Sequence, residues 1–83
     1  MFNLTAINRK FVEINDYVQH GYEAASEKNH KAKLDYARAA FVLICELREI
    51  ADSSRDALDL EVFFAVVEAY EKATKQLIDL LLD

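Results

Sequence analysis

Proline is absent from this chain of 83 residues, glycine occurs once, at Gly21, and cysteine once, at Cys45. The strongest punctuation for turns is therefore missing, which favours long uninterrupted helices, and a glycine-rich loop that could cradle a phosphate is impossible. A lone cysteine cannot close a disulfide within the chain, which fits a reducing compartment. No apolar run approaches the ~20 residues a membrane span requires. The opening residues, MFNLTAINRKF, lack the basic segment, apolar centre and small-residue cleavage site of a secretory leader. A cytoplasmic protein without a membrane partner is expected. Positive charge is the minority sign, since 10 Lys and Arg stand against 15 Asp and Glu for a formal net charge of −5. Such a chain repels phosphate at long range, so nucleic acid is not expected as a partner.

What the sequence does hold is helix-forming and apolar. Ala, Leu, Glu and Lys are abundant, all good helix formers, and 53% of the residues are hydrophobic while 30% are charged. One domain spanning residues 1–83 is expected, burying roughly 60–65% of the surface its unfolded chain exposes. The most informative stretch is DYARAAFVLICELREIA, from Asp35 to Ala51. On a helical wheel Tyr36, Ala37, Ala40, Phe41, Leu43, Ile44, Leu47, Ile50 and Ala51 cover about half the circumference, wider than the ~100° stripe of a surface helix. A helix this apolar needs neighbours on two sides, and the chain has material for two more.

The first predicted helix covers about residues 4–27, with Asn3 or Thr5 as its cap. Leu4, Ile7, Phe11, Ile14, Val18 and Ala25 recur at alternating steps of three and four, the period of a seam facing another helix. Gly21 falls at a seam position, where close helix contact is its expected use. On the opposite side Glu13, Asp16, His20, Glu23 and Glu27 share an arc of about 80° and form an acidic ridge. The polar break from Ser26 to His30 follows, with Asn29 suited either to closing the first helix or to capping the second.

The second predicted helix covers about residues 31–51, and the next break is read at Asp52-Ser53-Ser54-Arg55, with Ser53 or Ser54 capping a third helix over about residues 55–82. The inner face of that third helix is Leu58, Val62, Phe63, Val66, Tyr70, Ala73, Leu77 and Leu80. Arg48 and Asp59 both project toward apolar arcs. A hairpin pivoting at Ser53–Ser54 brings them level, which predicts an Arg48–Asp59 ion pair. The third helix also carries a second apolar flank of Leu60, Phe64, Val67, Ile78 and Leu82, more than two neighbouring helices need. The flank is either covered by the first helix in a compact packing or left exposed as a face for a second copy or a partner protein, since large exposed apolar patches on small proteins mark association surfaces.

Candidate chemistry is thin. Glu27 and His30 have the Glu-x-x-His spacing of di-iron helical bundles, but only once and in a polar turn. His20 beside Asp16 and Glu23 could hold zinc only with ligands from another chain. Cys45, at the edge of the apolar arc, is expected to be a packed, inert thiol. Tyr17, Gly21, Tyr36 and Ala40 are spaced in a way similar to one tetratricopeptide hairpin over less than half the chain. Lys33 stands where alanine is usual, however, the second helix is too long and no second repeat follows, so no family is assigned.

The pattern therefore implies an all-α, antiparallel up-down-up three-helix bundle, with dimerisation through the third helix as an open option. The expected function is that of a non-enzymatic adaptor, chaperone, immunity or regulatory protein without cofactor or metal, acting by binding another protein. The candidate binding residues are Leu60, Phe64, Val67, Ile78 and Leu82 on the flank, or Glu13, Asp16 and Glu23 on the ridge. The alternative is an acidic inhibitor that imitates nucleic-acid charge to block a nucleic-acid-binding protein.

Overall fold

The structure, a computed structural model, describes residues 3–83, which form three helices packed against one another and, among the described residues, no strand. The helices are α1, Leu4–Ser26, α2, His30–Asp56, and α3, Leu60–Leu82. No helix among the described residues is long and apolar enough to cross a membrane. All three begin in the same way. The side chains of Asn3, Asn29 and Asp59 accept hydrogen bonds from the backbone N–H of Ala6, Ala32 and Val62 at 2.8, 3.1 and 3.3 Å. Each cap satisfies one of the four amides a helix start leaves unpaired.

The two connections are three residues each and share one geometry. Lys28 and Leu58, both at φ 59°, adopt the left-handed conformation. The N–H of Lys28 donates to Ala25 O at 3.0 Å and that of Asn29 to Ala24 O at 2.9 Å; Leu58 and Asp59 repeat this toward Arg55 O and Ser54 O at 3.0 and 2.9 Å. This paired bonding closes a helix whose next residue is left-handed, a post that usually falls to glycine. With only Gly21 in the chain, a lysine and a leucine fill it.

The second turn therefore lies later than the Asp52–Arg55 break read from composition. Asp52, Ser53, Ser54 and Arg55 are all helical, within the last turn and a half of α2. Ser54 is buried and its hydroxyl donates to Ile50 O at 2.8 Å, so a residue that looks like a helix breaker satisfies its polar group within the helix and continues the seam of Leu47 and Ile50. Leu58, read as a core position, lies instead in the turn and is 80% exposed.

The core runs between the helices. Ile7, Ile14 and Val18 from α1 meet Ala37, Ala40, Ile44, Leu47 and Ile50 from α2 and Val62, Val66, Ala73, Leu77 and Leu80 from α3. Full burial of each large aliphatic side chain contributes about 1.5–3 kcal/mol. Alanines at 24, 37, 40 and 73, all buried, let the backbones approach. Gly21 is another close contact, where an added Cβ would lie 2.6 Å from Leu80 Cδ2. The apolar arc of α2 is narrower than its sequence suggests, because Phe41 and Val42 face outward and are exposed. Cα atoms span 45 × 19 × 14 Å.

Two lysines tie the helices together at their sides. Lys10 Nζ on α1 lies 3.2 Å from Glu46 Oε2 on α2. Lys33 is buried in α2 and its Nζ donates to Asp83 O at 3.1 Å, its methylenes filling apolar space while the ammonium reaches the end of α3.

Candidate functional site

The feature with no partner inside the subunit is the outer flank of α3. Val62, Val66, Ala73, Leu77 and Leu80 turn inward, and a helix that commits those positions to the core must send the residues about 135–175° away into solvent. Leu60, Phe64, Ile78 and Leu82 occupy that sector and are 58%, 65%, 49% and 81% exposed. Val67 is half-buried at its edge, and the ring of Phe64 is steadied by that of Phe63, with centroids 5.7 Å apart. The apolar surface continues onto α2 through a shallow groove of about 200 Å³, lined by Leu34, Ala37, Arg38, Phe41, Leu77 and Leu81.

The acidic ridge is a separate surface. Glu13, Asp16 and Glu23 are exposed on α1, and His20 Nδ1 lies 3.5 Å from Glu23 Oε2. The His20 ring stacks on Tyr36 of α2, centroids 5.3 Å apart at 29°. Beside it is a recess of about 190 Å³ lined by residues including His20, Glu23, Glu27, Asn29 and Tyr36. Among the described residues no three His, Cys, Asp or Glu side chains come together as a metal-holding group.

A third recess, of about 390 Å³, opens between α1 and α3 and is lined by Asn15, Val18, Gln19, Tyr22, Gln76 and Asp79. Burial pushes the Tyr22 phenol above its ordinary value of 10.0, and the carboxylates of Asp79 and Asp83 push it further in the same direction.

Arg48 and Asp59 are not brought together as the hairpin register implied. The Asp59 carboxylate caps α3 by accepting from Val62 N, and Arg48 is exposed on α2. Among the described residues the ion pairs are Lys10–Glu46, His20–Glu23, Arg55–Asp52, Arg55–Asp56 and Lys72–Glu68. The physical cause is the turn. A pivot at Ala57–Leu58 rather than Ser53–Ser54 leaves Arg48 about two helical turns from the end of α2, roughly 12 Å along the axis from Asp56. Cys45 is exposed rather than packed, for the reason that exposes Phe41: both lie outside the narrower inward arc of α2. The buried place of Lys33 is invisible in the sequence pattern, since only its angular position beside Ala37 and Ala40 hints at it.

No protein-family model, no curated protein and no solved structure matches the chain.

Proposed function

We propose that this chain is a small non-enzymatic protein-interaction module, an antiparallel up-down-up three-helix bundle that works by helix-to-helix association through the outer flank of α3. The topology is supported by two three-residue connections, too short for anything but a reversal of direction, and by Leu34 near the start of α2 lining one groove with Leu81 near the end of α3. The functional reading rests on one observation: Leu60, Phe64, Ile78 and Leu82 are all exposed along one side of one helix. An apolar strip of this kind is costly in water and is the usual recognition surface for a second helix.

The test is affinity capture by the wild-type chain and by a Phe64→Asp/Leu82→Asp variant. Both side chains are exposed in the single subunit, so the variant should keep its helical circular dichroism. Binding partners lost with the variant support the flank, and unchanged capture removes it. The second reading, an acidic strip that blocks a nucleic-acid-binding protein, draws on the exposure of Glu13, Asp16 and Glu23. It predicts partner binding that weakens steeply with salt and is lost on Glu13→Lys/Asp16→Lys.

A further inference from the structure

Along the exposed flank of α3 the residue types are arranged symmetrically about the middle of the helix. Leu60 and Leu82 lie eleven residues to either side of Glu71, and Phe64 and Ile78 lie seven to either side. At 1.5 Å per residue these are apolar pairs at about ±16.5 and ±10.5 Å from one point. All four side chains are exposed. Nearer the centre Glu68 and Lys75, also exposed, are related by almost the same midpoint but carry opposite charges. The positions 60, 64, 67, 71, 74, 78 and 81 also step by four and three without interruption, the spacing of a two-helix seam.

From this pattern we propose that the occupant of the flank is a second copy of the chain, its α3 laid antiparallel against the first across a two-fold axis at Glu71. This deepens the reading of α3 as an association face and rests on it. A strip of identical sequence run in the opposite direction brings Leu60 to Leu82, Phe64 to Ile78 and Glu68 to Lys75 of the second copy, each contact occurring twice as an isologous interface demands. Glu68 and Lys75 lie on the same side of the seam, about 20° apart around the helix, and the two-fold operation keeps that side common to both copies. Opposite charges therefore meet and apolar residues meet. Parallel pairing in register would carry the second copy's Glu68 and Lys75 to the opposite side of the seam, so that neither would meet the other. Glu68 also pairs with Lys72 of its own chain at 2.9 Å, which lies farther round the helix from the seam.

The exposed parts of Leu60, Phe64, Ile78 and Leu82 amount to roughly 450 Å² per copy, and those of Leu34, Phe41 and Leu81 round the neighbouring groove raise this to roughly 750 Å², close to the ~800 Å² each partner contributes to a standard interface. Glu71 faces its own counterpart at the axis, with Lys75 one turn away in each copy to offset the repulsion.

Sedimentation equilibrium of the full chain should give twice the 9.5 kDa chain mass. Glu68→Lys and Lys75→Glu should each weaken the dimer about tenfold or more, and the double variant should recover most of that loss. Orientation is read by disulfide trapping in a Cys45→Ala background. Leu60→Cys chains alone should not cross-link, because antiparallel pairing holds those positions about 33 Å apart, whereas a mixture of Leu60→Cys and Leu82→Cys chains should. A monomer at all concentrations overturns the proposal, as does cross-linking of Leu60→Cys with itself. A dimer that ignores Phe64→Asp overturns the flank itself. One that responds to Phe64→Asp but not to either charge reversal overturns only the antiparallel pairing.

Discussion

Gly21→Ala sets two effects of known size against each other. In an exposed helix interior the substitution stabilises by about 1 kcal/mol, because alanine loses less backbone freedom on folding. Here the new methyl would lie 2.6 Å from Leu80 Cδ2 and 3.2 Å from Cδ1, and Leu80 is 0% exposed with core side chains around it. Overpacking of such a site costs about 1–3 kcal/mol. The two together make Gly21→Ala neutral to about 2 kcal/mol destabilising. The sharper expectation concerns sign. In a Leu80→Ala background, itself about 2–5 kcal/mol less stable, the obstruction is gone, and Gly21→Ala should now stabilise by about 1 kcal/mol. Urea unfolding followed by far-ultraviolet circular dichroism, on all four members of the cycle at one protein concentration, reads this directly. A stabilisation of about 1 kcal/mol in both backgrounds would refute the reasoning, since it would mean that Leu80 moves aside freely and that α1 and α3 are not held at this distance by the missing side chain.

Three further expectations follow from the turns and from Tyr22. Asp59→Ala should cost about 1 kcal/mol through loss of the α3 cap, whereas Ser53→Ala, in the exposed last turn of α2, should change chemical-denaturation stability by less than about 0.5 kcal/mol; the reverse order would place the second turn at Ser53–Ser54. Leu58→Gly should raise the midpoint of thermal unfolding by a few degrees, because a left-handed leucine costs about 1 kcal/mol or more and its exposed side chain has little packing to lose. Tyr22 keeps its proton in the folded state beyond the value of 10.0 at which the unfolded chain releases it. Its contribution to stability is therefore complete below pH 10 and is lost as pH rises through the folded-state value. Alkaline titration followed by phenolate absorbance should show one tyrosine lagging, and Tyr22→Phe should remove that lag and flatten the alkaline loss of stability.

Three helices, their amphipathic faces and the surplus apolar flank on the third were all legible in the residue order, because each is a matter of period within one helix. The positions of Leu60, Phe64, Ile78 and Leu82 in solvent follow from the inward commitment of Val62, Val66, Ala73, Leu77 and Leu80, and that commitment is written in their spacing. The symmetry about Glu71 is likewise a property of the residue order alone. What failed was punctuation. Asp52, Ser53 and Ser54 have the composition of a break, and Leu58 has that of a core residue, yet the chain turns at Leu58.

That exchange belongs to the tertiary structure. Local propensities separate the two turn positions by only about 1 kcal/mol, less than the burial of one large aliphatic side chain such as Leu47 or Ile50 contributes. The register of α2 against α3, the separation of Arg48 from Asp59 and the placing of Lys33 beside the end of α3 all depend on where the turn falls. The sequence by itself determined which face of each helix avoids water, since that is set by periods of three and four. How far each helix runs, and so which residues stand level across it, was decided only when the three were packed together, because side-chain burial summed over the whole interface is larger than any single residue's preference for a turn.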